Sequence, residues 1–335
     1  MKANLQSKDV ALDPNLTLRP ARWDDIEAIV SMVYDVLTAD GDVLSAFTAQ
    51  ELEIQWKSEG FNHETDAWVV TPNDGRVVGY EEFTNRAAHA YFLADGYVHP
   101  NYRGNGIGAA MLHALDERAK QEMQLADPDL RVFVRAGTNA HDTNVRSMFE
   151  EAGYRVIRYH WLMEIDLDEA PHLKPFPAGI GLRPFDVDAH NVLVFEAENE
   201  AFRDHWGNVP ALYNNWKARK LGREEFDPTL WHIAWDGDQI AGYTQTRYRN
   251  EVGWIGNLGV RRPWRKRGLG EALLLHSFNE FYKRGMSQIC LNVDASNPTG
   301  ATRLYQRVGM HVAVEDIIVE KEYRAGRELE EGAAV

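Results

Sequence analysis

Two short turns in this chain have the residue types and spacing that bind a phosphate group. Both read Arg-x-x-Gly-x-Gly, and they run from Arg103 to Gly108 and from Arg265 to Gly270. Glycine permits positive φ and lets a ligand approach the backbone closely. Each turn precedes a predicted helix, whose first N–H groups point outward and favour an anion. The turns therefore predict binding of a phosphate or pyrophosphate.

The second turn also concentrates positive charge. Five cations stand within residues 261–267, in a chain of 335 residues whose 36 basic and 51 acidic side chains give a formal net charge of −15. A solvated surface loop would explain one isolated turn of this type, but the pattern occurs twice in the same setting. Residues 104–109 also match a dinucleotide fingerprint by letter, but that fingerprint belongs in a first βαβ unit and these residues lie in mid-domain.

The turns are part of an internal repeat. Three segments recur in the same order at nearly constant offset: residues 67–80 as 230–243, 98–108 as 260–270, and 18–20 as 182–184. This order predicts two tandem domains of one fold. In each copy strands alternate with helices, and a hairpin supplies antiparallel neighbours. The predicted fold class is α/β, with a mixed, mostly antiparallel sheet flanked by helices.

The domain boundaries follow from the repeat and from the prolines between its copies. Three of the 13 prolines lie in residues 171–177, and proline neither propagates a helix nor joins a central strand. We therefore predict an N-terminal tail, a first domain, a linker, a second domain and a C-terminal tail, at residues 1–15, 16–166, 167–179, 180–322 and 323–335.

Two motifs resemble signatures of the GNAT superfamily of N-acyltransferases. Residues 98–108, Val-His-Pro-Asn-Tyr-Arg-Gly-Asn-Gly-Ile-Gly, resemble its acyl-CoA-binding turn, and residues 297–310 resemble its closing motif, Asn-x-x-Ala-x-x-Leu-Tyr-x-x-x-Gly-Phe. The resemblance covers residues 16–166 and 180–322, and two such domains in tandem are similar to mycothiol synthase and to other two-domain GNAT proteins. It implies direct transfer of an acyl group, usually acetyl, from acetyl-CoA to an amine.

The resemblance also implies a coenzyme A site in each domain. Backbone N–H groups of the turn would bind the pyrophosphate, and the strand before it would bind the pantetheine and polarise the thioester carbonyl. In the second domain the implied contacts are Leu258, Gly259, Val260, Arg265, Lys266, Arg267, Gly268, Leu269, Gly270, Glu271 and Asn297. In the first domain they are Tyr97, Val98, Arg103, Gly104, Asn105, Gly106, Ile107, Gly108 and Ala109. No metal site is predicted.

The closing motif implies a catalytic acid, Tyr305. It would give a proton to the leaving thiolate, whose thiol has a free pKa of about 8.5. In the first domain Phe149 stands at that register and has no proton to give, although the phosphate turn is intact. We therefore expect the second domain to be the catalyst and the first to retain at most acyl-CoA binding. An ordinary core tyrosine is the alternative for Tyr305.

Several residues are candidates for the general base that deprotonates the attacking ammonium. Glu198 and His205 are the leads, because they lie in the helix and loop that usually wall the acceptor site of the family. Asn257 stands where many relatives place an acidic residue. The other candidates are Glu196, Glu200, Asp204 and His232, and for every candidate a solvated or core role is the alternative.

The acceptor pocket is predicted in the variable segments 202–208 and 213–216, which combine aromatic and acidic side chains. Such side chains suit a cationic or amphipathic amine, although the tryptophans would fit core packing equally well. The expected reaction is acetylation of a primary amine of a small molecule. A peptide or protein amine, or a non-catalytic acyl-CoA-binding or sensing protein, is the alternative.

Composition argues against other classes of function. A nucleic-acid-binding surface should be basic, whereas this chain is acidic overall. The lone Cys290 lies in an apolar run, which predicts a buried structural thiol and a reduced, cytoplasmic setting. No stretch approaches the roughly 18 apolar residues of a membrane span. We expect a monomer or homodimer with neither a membrane nor a nucleic-acid partner.

Overall fold

The computed structural model describes residues 11–203, 205–206, 211–223, 226–249, 251–297 and 299–329. Residues 1–10 and 330–335 of the two predicted tails lie outside the described residues. The described chain divides into two compact units. Unit 1 comprises residues 11–157 together with 317–329, and unit 2 comprises residues 158–316.

Both units alternate strands with helices. The first half of the chain forms β1 (Leu16–Pro20), α1 (Ile26–Ala39), α2 (Ala49–Trp56), α3 (His63–Asp66), β2 (Ala67–Pro72), β3 (Gly79–Ala87), β4 (Tyr91–Val98), α4 (Ile107–Glu122), β5 (Val132–Asn139), α5 (Thr143–Glu151) and β6 (Arg155–Asp166). The second half forms β7 (Ile180–Arg183), α6 (Val187–Phe202), α7 (Tyr213–Leu221), β8 (His232–Asp236), β9 (Gln239–Arg249), β10 (Val252–Val260), α8 (Leu269–Lys283), β11 (Gln288–Asp294), α9 (Ala301–Arg307) and β12 (His311–Arg324).

The sheet of each unit is mixed. In unit 1 the strands from β1 to β5 are adjacent in numerical order, and in unit 2 the order is β6, β11, β10, β9, β8, β7. Neighbours pair antiparallel except for β4 with β5 and β10 with β11, which run parallel. The predicted mixed α/β sheet flanked by helices is confirmed.

The last strand of each sequence repeat, β6 or β12, lies mostly in the compact unit formed by the other repeat. Residues 160–166 of β6 pair with the whole of β11, in the register from Asp294 opposite His160 to Gln288 opposite Asp166. Residues 317–324 of β12 belong to unit 1. There Glu320 binds two arginines of unit 1, Arg131 at 2.5 Å and Arg135 at 3.0 Å. The repeats, predicted as residues 16–166 and 180–322, describe the duplication, whereas each compact unit contains the larger part of the other repeat's last strand.

The helix after each glycine turn is held on its sheet by an apolar face. In α8 the residues Leu269, Ala272 and Leu273 are buried, at the spacing of one helical face. Cys290 is buried in β11, and burial raises the pKa of its thiol to about 12, so it stays protonated at neutral pH. Among the helices that the structure describes, none has both the length and the apolar character needed to cross a membrane.

Candidate active site

Among the described residues, one edge of β10 is unpaired where this strand approaches the glycine turn of unit 2. On one side β10 pairs with β9 from Val252 to Val260. On the other side its pairing with β11 covers Gly253 and Trp254. Since every backbone N–H and C=O needs a hydrogen-bond partner, the edge beyond Trp254 offers such bonds to a ligand. The predicted coenzyme contacts from Leu258 to Val260 lie on this edge.

The glycine turn of unit 2 has the backbone geometry of an anion site. Gly268 is the N-cap of α8 and has φ of +82°. A Cβ added there would meet no atom within 4 Å, so the positive φ, and not crowding, favours glycine. Lys266 also has positive φ, at +62°. The side chains of Lys266 and Arg267 are exposed beside the first N–H groups of α8, which lack partners within the helix.

The first arginine of each turn anchors the turn to the end of the first α-helix of the same repeat. Arg265 donates to the carbonyl oxygens of Val260 and Ala201, both at 3.0 Å, and Ala201 lies at the end of α6. Its counterpart Arg103 binds Asp40, which follows α1, at 2.6 Å. Both guanidinium groups therefore hold the turn in place, which leaves Lys266, Arg267 and the backbone to face an anion in unit 2.

In unit 1 an N-terminal segment lies against the glycine turn. Gly104 and Gly106 have φ of +84° and +77°. A Cβ at Gly106 would lie 2.5 Å from the carbonyl oxygen of Ala11. The N–H of Asp13 donates to the carbonyl oxygen of Asn105 at 3.1 Å. The two turns thus share backbone conformation but differ in their surroundings.

Glu198 of α6 lies at the centre of a hydrogen-bond network over β9 and β10. Its carboxylate accepts from Trp216 Nε1 at 2.9 Å, from Gln245 Nε2 at 2.8 Å and from Asn257 Nδ2 at 2.8 Å. The Lys220 ammonium lies 3.8 Å away. Three donors fix the orientation of this carboxylate, and they occupy three of its roughly four lone-pair positions.

A β-bulge aims Asn257 into this network. The register of β10 on β9 shifts between Ile255 and Asn257, so Gly256 is the extra residue. A bulge re-aims the side chains that follow it. Nearby, a Cβ on Gly259 would lie 2.4 Å from the ring of Tyr243. The Tyr243 hydroxyl is fully buried and has no hydrogen-bond partner among the described residues.

Tyr305 lies in α9 and is 8% exposed. Burial raises the pKa of its hydroxyl to about 12, so the group keeps its proton at neutral pH. Its ring packs in the hydrophobic core of unit 2. In unit 1 Phe149 is likewise buried and packs edge-on against Tyr154, with 5.1 Å between the ring centroids. The hydroxyl is therefore the chemical difference between the two positions.

Two further predicted coenzyme contacts bind neighbouring groups of unit 2. Glu271, in the first turn of α8, forms an ion pair with Lys174 at 2.6 Å. Asn297 accepts through Oδ1 from the N–H of Thr299 at 2.9 Å and from its hydroxyl at 2.6 Å. These bonds stabilise the turn that leads into α9.

The other base candidates have different surroundings from one another. His205 follows α6, and its ring packs on Phe202 with centroids 4.3 Å apart. Glu200 forms an ion pair with Arg261 at 2.6 Å. Burial lowers the pKa of His232 to about 4, so this imidazole is neutral and weakly basic at pH 7. Of these groups and Glu198, Glu198 is the one held by three donors beside the bulge of β10.

The aromatic part of the predicted acceptor pocket is mostly core. Trp216 is 3% exposed, and Tyr213 lies against it with ring centroids 6.2 Å apart. Trp206 lies under the guanidinium of Arg158 at 4.8 Å. Residues 204 and 207–208 of the prediction, with the candidate base Asp204, lie outside the described residues. Among the residues described, no group of three or more His, Cys, Asp or Glu side chains is arranged to hold a metal.

Sequence reasoning missed Gln245 and Lys220. Two residues beyond the repeat of residues 67–80 as 230–243, the same offset places Gln245 over Glu82. A polar residue at the same strand position in both copies was the available signal. Lys220 gave no signal of its own, because it stands in a run of basic residues at the end of α7.

Two segments of the chain, residues 30–154 and 192–310, match the model of the Acetyltransferase (GNAT) family. The chain belongs to the GNAT family. The resemblance inferred from the two motifs is thereby confirmed, and so is the duplication of the domain. The protein is an acyl-CoA-dependent acetyltransferase with two GNAT domains in tandem.

Similar curated proteins are mycothiol acetyltransferases. That of Catenulispora acidiphila is 24% identical over 76% of this chain and 82% of its own length. That of Nocardiopsis dassonvillei is 28% identical over 73% of this chain and 78% of its own length.

Solved structures of GNAT proteins are similar over nearly the whole chain. A GCN5-related N-acetyltransferase from Sphaerobacter thermophilus has a TM-score of 0.77 and 34% identity, covering 95% of this chain and 99% of that one. A tandem GNAT protein from the clavulanic acid biosynthesis pathway has a TM-score of 0.68 and 18% identity, over 93% and 100%. The second likeness shows the fold alone.

Proposed function

We propose that unit 2 transfers an acetyl group from acetyl-CoA to a primary amine of a small molecule. The observation that carries the proposal is the open edge of β10, which has a phosphate-binding turn at one end and the Glu198 carboxylate at the other. A ligand lying along this edge would have an anion at the turn and its reactive end beside a fixed carboxylate.

The residues of unit 2 fit coenzyme A. The first N–H groups of α8, with Lys266 and Arg267, would hold the pyrophosphate, and the edge from Leu258 to Val260 would bind the pantetheine through the backbone. The buried Tyr243 hydroxyl, which has no partner among the described residues, would gain an acceptor in the bound ligand. When bound, the coenzyme supplies an acetyl group activated as a thioester.

Glu198 would bind the attacking amine. About one lone-pair position of its carboxylate is left after Trp216, Gln245 and Asn257 have donated to it. An ammonium held there is oriented, and the Glu198 carboxylate would accept the proton that the ammonium gives up before the amine attacks the thioester. Orientation of this kind converts a bimolecular step into an effectively unimolecular one.

Tyr305 would give the proton that the departing thiolate needs. Its raised pKa means that the hydroxyl is fully protonated at neutral pH and available as a donor. Unit 1 has Phe149 at this position, which supports unit 2 as the catalytic one. The similar curated proteins are mycothiol acetyltransferases, and their name refers to a small molecule. This similarity supports a small acceptor over a peptide.

The proposal is tested by a panel of primary amines with acetyl-CoA, in which release of free thiol measures turnover. Calorimetric titration of CoA runs in parallel. We expect amine-dependent thiol release and at least one CoA site. Gly268→Ala should reduce both the rate of thiol release and the affinity for CoA. CoA binding without turnover of any amine would overturn the catalytic proposal in favour of a binding or sensing role.

A further inference from the structure

Lys220, in the last turn of α7, faces the carboxylate of Glu198. The two oxygens of this carboxylate have different partners. Oε2 accepts from Trp216 Nε1 at 2.9 Å and from Gln245 Nε2 at 2.8 Å. Oε1 accepts from Asn257 Nδ2 at 2.8 Å, and the Lys220 ammonium lies 3.8 Å from the same oxygen. The lone-pair position that is left on the carboxylate therefore belongs to the oxygen that Lys220 approaches.

Lys220 also lies beside the strand edge along which the coenzyme would bind. It lines a pocket of unit 2 together with Gly256, the extra residue of the β10 bulge. Asn257, which shares Oε1 of Glu198 with Lys220, directly precedes Leu258, where the pantetheine edge begins. A coenzyme whose pyrophosphate lies at the glycine turn would point its thioester toward this end of β10. The amine of Lys220 is therefore near the place where an acetyl group would be delivered.

The surroundings of Lys220 favour the neutral, nucleophilic form of its amine. Its side chain is 22% exposed. Burial lowers the pKa of the amine, the Glu198 carboxylate opposes this effect, and three neighbouring guanidinium groups lower the pKa further, those of Arg219, Arg223 and Arg247. A lysine attacks a carbonyl through its unprotonated amine, so a lowered pKa increases the reactive fraction at neutral pH.

A counter-ion for Glu198 is the alternative role of Lys220. An ammonium that donates to a carboxylate lies at about 2.7–2.9 Å from it. Lys174 makes such a contact with Glu271 in the same unit, at 2.6 Å. The 3.8 Å between Lys220 Nζ and Glu198 Oε1 is too long for a hydrogen bond. The lysine stem of four carbons is flexible, so this amine is free to move from Glu198 toward the edge of β10.

We propose that Lys220 is an acetylation site of this protein and that acetyl-CoA bound in unit 2 of the same chain is the donor. The proposal rests on the proposed function, because it uses the same coenzyme edge and the same carboxylate. The neutral Nζ attacks the carbonyl carbon of the thioester, so that an N–C bond forms and the C–S bond breaks with its electron pair on sulfur. Glu198 accepts the proton that Nζ loses, and Tyr305 gives a proton to the thiolate. The products are acetyl-lysine and free CoA, and exchange with solvent restores both groups.

The test is peptide mass spectrometry of the full-length protein after incubation with acetyl-CoA. Lys217 is the internal control, because it is an exposed lysine of the same helix. We expect acetylation of Lys220 to be faster than that of Lys217 by about 10²-fold, a usual contribution of a positioned general base. The rate constant per chain should not depend on protein concentration, since donor and acceptor belong to one chain. Equal rates at the two lysines, or a rate constant that rises with protein concentration, overturn the proposal.

Two variants assign the modification to the acetyl-transfer site of unit 2. Glu198→Gln removes the proton acceptor and should slow acetylation of Lys220 by about 10²-fold. Below saturation with acetyl-CoA, Gly268→Ala should also slow it, because that turn would hold the pyrophosphate. Gly285→Ala is the matched control, since Gly285 has φ of +81° against +82° at Gly268 and follows the end of α8. The glycine pair remains informative if Glu198→Gln does not fold, and acetylation of Lys220 at the wild-type rate in both Glu198→Gln and Gly268→Ala contradicts the proposal.

Comparison with the amine panel separates this proposal from the proposed function. Acetylation of Lys220 without turnover of any free amine supports the modification site and contradicts the small-molecule acceptor. Turnover of free amines that leaves Lys220 unmodified overturns the site and leaves the acetyltransferase intact. Where both occur, a free amine at about ten times its KM should slow acetylation of Lys220 about tenfold, because both amines would use the same oxygen of Glu198. An unchanged rate at Lys220 under that condition contradicts the shared position.

Discussion

Asn257 Nδ2 donates to Glu198 Oε1 at 2.8 Å, and this bond shows how the two copies of the domain place their acidic groups differently. In unit 1 the repeat puts Asp95 at the position of Asn257 and Glu82 at that of Gln245. Glu82 and Asp95 are cross-strand neighbours. Burial raises the pKa of Glu82 to about 7 and that of Asp95 to about 6. Unit 2 has amides on its strands, and these amides bind a carboxylate from α6.

Replacing Asn257 by Asp should set two carboxylates against each other. Asn257→Asp removes a donor to Glu198 and adds a like charge at hydrogen-bond distance, so the folded-state pKa of the pair rises. A carboxyl group whose pKa is higher in the folded state than in the unfolded chain stabilises the fold at low pH. That stabilisation is lost as the pH rises through the folded-state pKa. We expect a loss of roughly 2 kcal/mol in the free energy of unfolding at pH 8 and about half of that loss at pH 5. Urea unfolding at both pH values measures it.

The control for this change is Asn292→Asp. Asn292 is exposed on β11 of the same sheet, so the new carboxylate is solvated there and should leave the free energy of unfolding nearly unchanged at both pH values. A pH-independent loss in Asn257→Asp would mean that the hydrogen bond alone matters and that the two carboxylates do not interact.

Removing the Tyr305 hydroxyl should reduce turnover without reducing coenzyme binding. Tyr305→Phe deletes one oxygen from a buried ring, and general acid catalysis contributes typically 10²-fold or more to a rate. We expect kcat to fall by about that factor while the calorimetric Kd of CoA stays within about twofold. Tyr34→Phe, at an exposed tyrosine of unit 1, should change neither. Unchanged kcat in Tyr305→Phe would assign the ring to core packing alone.

The positions of the glycine turns and the duplicated fold could be predicted from the sequence because they depend on local chemistry. Glycine readily adopts positive φ, so the glycines of the two turns predict that conformation. The structure has positive φ at Gly106 and at Gly268. The repeat of hairpin, strand, turn and helix predicted the mixed sheet. These features depend mainly on residues close together in the chain and little on contacts between distant residues.

The rest of the site depends on contacts that sequence spacing does not encode. Five cations within residues 261–267 suggested a phosphate site, but Arg265 and Arg261 are bound by Ala201 and Glu200, more than 60 positions earlier. The exchange of end strands between units is equally invisible, because β6 and β12 read as the last strand of their own repeats. Lys220 and Gln245 meet Glu198 only through the packing of α7 and β9 on α6.

Acid should destabilise unit 2 through His232. Burial lowers the pKa of this imidazole to about 4, whereas in the unfolded chain it is about 6.5. Between these values the unfolded chain binds more protons, so stability is lost as pH falls. We expect His232 to account for roughly 2 kcal/mol of the decrease in the free energy of unfolding between pH 7 and pH 5.

Comparison of urea unfolding for the wild type and His232→Asn at pH 7 and pH 5 isolates this effect. The variant should lose less stability on acidification than the wild type. His113→Asn is the control, because His113 is exposed on α4 of unit 1, and it should follow the wild type. Parallel pH curves for wild type and His232→Asn would contradict burial as the source of acid sensitivity.

Two glycines of unit 2 have nearly the same backbone but different neighbours, and together they separate strain from binding. Gly268 has φ of +82° at the phosphate turn, and Gly285 has φ of +81° after the end of α8. A Cβ at either glycine meets no atom within 4 Å. Gly268→Ala and Gly285→Ala should therefore lower the free energy of unfolding by the same amount, about 1–2 kcal/mol. Of the two variants, only Gly268→Ala should raise the calorimetric Kd of CoA, because the turn at Gly268 would contact the pyrophosphate and the turn at Gly285 would not. An equal change of Kd in both variants would mean that the turn at Gly268 is not part of the coenzyme site.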